Sequence, residues 1–141
     1  MARISLVKKS DQAYIITDLI HDCWFDKDTI LHDSANSILI IRYKKQVAEW
    51  KEVVRKIWFL KKVNIPIAEC FLKIHGVDSY SVEDEANIGT YDFNEIKYSP
   101  QSKLITITSG FPIKINVYVE RFEIVVEETD NIIERKLSWS L

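Results

Sequence analysis

The chain has 141 residues, 47% hydrophobic, 11% aromatic and 28% charged, with only three glycines and three prolines, a composition that excludes collagen-like, low-complexity and disordered polypeptides. One domain is expected at this length, burying roughly 70% of the surface exposed by the unfolded chain. Nineteen basic and twenty-one acidic residues leave a formal charge of -2, so attraction to nucleic acid or an anionic membrane has to come from local asymmetry.

The first residues, MARISLVKKSDQ, lack the apolar core of a secretory signal. No later stretch approaches the roughly 18 apolar residues that span a bilayer, and a soluble, cytoplasmic protein is the expectation. Residues 3–19 read as an edge hairpin with KKSDQ as its turn.

Next comes HDCWFDKDTILHD, residues 21–33, with two histidines and a cysteine among carboxylates. In an extended chain His21 and Cys23 project to one side, roughly 7 Å apart at their α-carbons, where an imidazole reaches a thiol. Adding His32 and Asp33 would give a mononuclear metal site. Neither spacing is a specific signature, so no metal or cofactor is expected. The structural alternative makes the segment a strand start in which Asp26, like Asp92 later in the chain, accepts bonds from backbone N–H groups two residues on in an Asx turn. With only two cysteines and no CxxC spacing, Cys23 and Cys70 read as small apolar side chains with free thiols.

Shifting the sequence by 66 places sets FDKDTILHDSANSILII (25–41) against YDFNEIKYSPQSKLITI (91–107), with three identities and four conservative pairs in seventeen places. Asp26 meets Asp92, Ile30 meets Ile96 and Ile41 meets Ile107. In each copy a polar cluster, DSANS or SPQS, separates two apolar runs, the pattern of a β-hairpin. A second correspondence aligns Pro66 and Ile67 with Pro112 and Ile113; a one-residue slip then pairs Leu72 with Val117 and Ile74 with Val119. The apolar alternation of the later strand changes phase near Glu120 and Arg121, which requires a bulge or corner, and Gly76 suits the matching place in the earlier one.

The two units, residues 20–84 and 87–129, differ mainly in an insertion at residues 44–63. Val47, Trp50, Val54, Ile57 and Trp58 follow helical spacing, which predicts a helix over about 46–58, with an extended hairpin as the alternative. The insertion carries seven basic residues against two acidic ones, net +5, while the rest of the chain carries twelve against nineteen, net -7. Two of the four tryptophans also lie here. Trp50, Lys51, Arg55, Lys56 and Trp58 are therefore the candidate partner-binding residues, although the tryptophans could instead plug an open end of the β-structure. Residues 130–141 read as a tail that is either a short final strand or an unanchored end, with Trp139 favouring some docking.

No Gly-rich phosphate loop, GxSxG elbow, HExxH motif or EF-hand spacing occurs. The expected fold is mainly β: an antiparallel sandwich or partly open barrel built from two related hairpin units, with a helical insertion. The leading function is a small non-catalytic binding or assembly module, with a protein partner or a second copy favoured over nucleic acid and the small-molecule ligand left open. A metal-assisted or Cys/His hydrolase using His21, Cys23, His32 and Asp33 is the alternative.

Overall fold

A computed structural model describes residues 3–7 and 13–140, with side chains from residue 13 onward. The elements in chain order are β1 (Arg3–Val7), α1 (Ala13–Ile20), β2 (Trp24–Asp33), β3 (Ile38–Gln46), a short 3-10 turn (Ala48–Trp50), β4 (Glu52–Ile57), β5 (Leu60–Asp84), β6 (Thr90–Asp92), β7 (Glu95–Ser99), β8 (Leu104–Thr108) and β9 (Ile113–Ser140). All strand pairings are antiparallel, and the nine strands form one sheet ordered β6-β2-β3-β5-β9-β8-β7, with β1 added to β9 and β4 to β5. Its end strands β6 and β7 are joined through Phe93 and Asn94 but do not pair with each other, so the sheet curls without closing into a barrel.

The two hairpins share one register. Ile30, Leu31, His32 and Asp33 of β2 oppose Ile41, Ile40, Leu39 and Ile38 of β3, and the residues 66 places later oppose one another in β7 and β8. Each hairpin ends its turn on a residue in the left-handed region, Ser37 at φ 55° and Lys103 at φ 51°. The carbonyls of these two residues accept N–H bonds from Val77 at 2.9 Å and Val119 at 3.0 Å. Val77 and Val119 are themselves ladder partners, and β6, just before the second hairpin, pairs with β2 at Phe25 and Tyr91.

The second half of the sequence alignment needs correction. Ile41 pairs with Leu72, and its counterpart Ile107 pairs with Ile115; Leu72 thus matches Ile115, two residues short of Val117. A two-residue slip leaves every side chain on its original face, so an apolar pattern cannot detect it. Pro66 lies inside β5, whereas Pro112 precedes β9.

The phase change expected near Glu120 is present. His75 pairs with Glu123 and Val77 with Val119, leaving Glu120, Arg121 and Phe122 opposite Gly76 alone. Gly76 has φ 83°, and a Cβ there would lie 1.7 Å from the Arg121 carbonyl oxygen. Only glycine permits that approach. The bulge bends the long β5–β9 pair so that it serves both hairpins.

The core between them contains Phe25, Tyr43, Tyr91 and Phe93, with Phe25 and Phe93 stacked at 4.6 Å and Tyr43 edge-on to Phe93 at 5.4 Å. Where an edge hairpin was expected over 3–19, β1 is followed instead by α1, whose Ala13, Ile16 and Ile20 turn inward. An eight-residue helix is too short to persist alone. Docking holds it: Ile16 and Ile20 are fully buried, and the Thr17 hydroxyl accepts the Ile96 N–H at 3.0 Å. The KKSDQ turn lies outside the described residues.

Candidate functional site

The insertion forms a hairpin in place of the predicted helix. After the 3-10 turn, β4 runs out to Ile57, reverses over Trp58 and Phe59, and returns as the start of β5, with Ile57 opposite Leu60. The deciding partner is distant in sequence. β9 continues through the segment expected to be a tail and pairs Lys136, Leu137, Ser138, Trp139 and Ser140 with Ile65, Asn64, Val63, Lys62 and Lys61. The β-branched Val53, Val54 and Ile57 suit such a ribbon, whereas an exposed helix would have left its apolar stripe in water.

This three-stranded ribbon extends from the body with little cover. Trp58 is 90% exposed and Phe59 66%. Trp50, Val53, Val54, Ile57, Leu60, Leu137 and Trp139 are also exposed. The apex reads Arg55-Lys56-Ile57-Trp58-Phe59-Leu60-Lys61-Lys62: four apolar residues between two pairs of cations. Cross-strand pairing puts Lys56 with Lys61 and Arg55 with Lys62 on successive rungs behind the closing pair. Successive rungs face opposite ways, so cations stand on both faces of the ribbon. Lys62 lies over the Trp139 ring, 6.0 Å from its centroid, which ties the apex to β9.

Trp58 has φ 54° at the first position of the reversal, a conformation that a bulky side chain adopts at a cost. The fold gains little in return, since the indole packs into no core. Trp58 covers nothing, whereas Trp50, 45% exposed, lines a cavity beside Cys70; Ile16 and Ile20 of α1 pack into the core.

The proposed catalytic residues do not assemble. His21 is exposed and its Nδ1 sits 3.2 Å from the neighbouring Asp22 carboxylate. Cys23 is buried, and burial pushes its thiol up to about 12, opposite to what a nucleophile needs. His32 lies at the far end of β2: Trp24, next to Cys23, pairs with Lys44 and His32 with Leu39, five residues along β3 and on the order of 17 Å away. Its Nε2 is buried without a partner, and its ring meets Tyr80 edge-on at 5.5 Å. Asp33 accepts the Asn36 side-chain N–H at 2.8 Å and backbone N–H at 3.3 Å, and these bonds hold its carboxyl below the usual range. Among the described residues no group of three or more His, Cys, Asp or Glu is placed to hold a metal ion.

Asp26 and Asp92 also differ from the Asx-turn expectation. Asp26 accepts the Thr90 hydroxyl at 2.6 Å, and Asp92 accepts the Ser109 hydroxyl at 2.5 Å and the Gly110 N–H at 3.0 Å. Asp26 joins β2 to β6 and Asp92 joins β6 to the β8–β9 loop, which keeps both structural.

One buried polar cluster escaped sequence reasoning. Lys45 forms an ion pair with Glu128 beside Cys70, at a cavity of about 90 Å³ that Trp50 also lines. Burial pulls the Lys45 ammonium down, but the bond and charge of Glu128 outweigh it and hold the group above its ordinary value. Burial also raises Cys70 and Tyr43, whose hydroxyl lies beside Cys70 without reaching hydrogen-bond geometry. The available signal was phase: Lys45 continues the buried alternation of Leu39, Ile41 and Tyr43. With both thiols and the phenol held protonated, the cluster is suited to fixing strand register rather than to nucleophilic chemistry.

No family model matches the chain, and searches for similar curated proteins and similar solved structures returned none. No helix among the described residues is long and apolar enough to cross a membrane.

Proposed function

We propose that the protein is a non-catalytic binding module whose working element is the ribbon formed by β4, the start of β5 and the end of β9. One observation carries this reading: the two most exposed aromatic side chains among the described residues and a cluster of four cations without an intervening acid occupy the same projecting apex. Binding energy concentrates in such anchors, where Trp and Arg dominate and a charged rim orients the partner. Trp58, Arg55 and Lys56 from the sequence analysis belong to this apex, joined by Phe59, Lys61 and Lys62; Trp50 and Lys51 lie at its base.

The partner carries negative charge. A symmetric pairing of two copies through the Ile57, Leu60 and Trp139 face would set Arg55 and Lys62 against their own duplicates, a like-charge contact that opposes association. That repulsion disfavours a second copy and leaves an acidic protein or another anionic surface. The hydrolase alternative gains no support from the separation of His32 from Cys23 or from the protonated thiol.

Replacing residues 53–62 with a short Gly-Ser linker tests the proposal, because β4 and β5 are already neighbours at Glu52 and Asn64. The shortened chain is expected to keep its circular dichroism spectrum and lose its partner in pull-down experiments. Unchanged partners with a folded body would overturn the reading.

A further inference from the structure

The shape of the charge distribution narrows the partner further. A protein groove grips one face of a hairpin and leaves the other in water, so a hairpin fitted to a groove needs its cations on one side. Here Lys56 and Lys61 occupy one face and Arg55 and Lys62 the other, at nearly the same height behind the apex. The collar therefore goes all the way round. An environment that surrounds an apolar tip with negative charge on every side is the headgroup layer of an anionic membrane.

Dimensions agree. At a rise of about 3.3 Å per residue, Trp58 and Phe59 lead the Lys56–Lys61 rung by roughly 7 Å, within the roughly 5–10 Å by which interfacial elements bury an apolar face. Trp and Phe then reach the acyl boundary while the ammonium and guanidinium groups meet phosphates. A strained, 90%-exposed tryptophan acquires a role it lacks in the isolated fold.

We infer that the Ile57–Leu60 apex inserts into the interface of an anionic lipid surface, with Arg55, Lys56, Lys61 and Lys62 as its phosphate-binding collar. The inference rests on the ribbon being the binding element. It describes a peripheral attachment, independent of any bilayer-spanning segment.

Co-sedimentation of the full chain with phosphatidylcholine vesicles, with or without phosphatidylserine, tests it. Binding is expected only where phosphatidylserine is present, weakening as salt rises. Lys56→Gln with Lys61→Gln is expected to weaken it about 25-fold, at about fivefold per charge near an anionic leaflet. The corresponding Arg pair is expected to retain it. Trp58→Ser with Phe59→Ser is expected to abolish it while circular dichroism and melting stay as in the unaltered chain.

Absence of binding to phosphatidylserine vesicles at low salt, or binding indifferent to the apex variants, overturns the inference. The linker chain separates the two failures. If no vesicle is bound but a protein partner depends on residues 53–62, the lipid inference falls and the module stands. If neither is bound, both fall.

Discussion

β5 and β9 run side by side from the body into the ribbon, and the two halves of this single ladder behave differently. Within the body Ala68, Cys70, Leu72, Ile74 and Val77 of β5, and Ile115, Val117, Val119, Ile124 and Val126 of β9, are all at or below 1% exposure. Beyond Ile67 the same two strands keep their backbone pairing, but Leu60, Leu137 and Trp139 stand in the open. Strand pairing is common to both regions; cover is not. The two hairpins and α1 supply cover in the body, whereas in the ribbon cover stops at its base, where Val63 is buried, and none reaches the apex. Stability should therefore reside in the body, with the ribbon free to present side chains the fold does not use.

The most severe way to break this contrast is to unbend the body. Gly76→Ala would force a Cβ against the Arg121 carbonyl at a φ of 83°. A loss of about 4–5 kcal/mol is expected, at the top of the range for single substitutions. Chemical denaturation would measure it, and a loss below about 1 kcal/mol would show that the bulge relaxes easily.

A smaller effect is expected at Asp84, near the end of β5. Its carboxylate accepts the Tyr91 hydroxyl at 2.6 Å, the Asn87 N–H at 2.8 Å and the Lys27 ammonium at 3.0 Å. The Tyr91 bond, then the Asn87 bond and Lys27, hold its pKa below the ordinary carboxyl value despite desolvation. A depressed folded-state value means that the contribution is present above the unfolded carboxyl value of about 3.9 and lost as pH falls through the folded one. Asp84→Asn should thus be less stable than the native chain at neutral pH, and the difference should shrink as the solution is acidified below about pH 4. Thermal melts across pH would show this; a constant difference would assign the effect to packing.

Much of this division could be read from sequence, for identifiable reasons. The 66-residue repeat fixed both hairpins because side-chain alternation and turn chemistry are local properties, and Gly76 with the Glu120 phase change marked the bend. What escaped depends on partners far along the chain. Trp139 and Leu137 turn residues 60–66 into a ribbon, and no window around Trp50 contains them. The apolar residues of 13–20 satisfy helical and strand periods alike until β7 is present to receive Ile16 and Thr17. For the binding surface, residue identities were legible as a concentration of charge and tryptophan. The two-sided collar was not, because it follows from the cross-strand register. Whether His21, Cys23 and His32 converge was not legible, because it depends on how β2 pairs with β3 and β6.

The mildest substitution sharpens the comparison most. Trp58→Gly removes a 90%-exposed side chain from a left-handed position that suits glycine. Relief of backbone strain and the extra entropy of an unfolded glycine oppose each other at about 1 kcal/mol each, so melting should change little. Vesicle binding should fall strongly, since the indole is the leading apolar contact. If the ribbon exists for display, stability and binding separate at this residue in a way impossible at Phe93, buried in the body. Should Trp58→Gly instead lower the melting temperature as a core truncation does, the indole would have to be packing against the molecule, and the division between a covered body and a presenting ribbon would fail at its most exposed point.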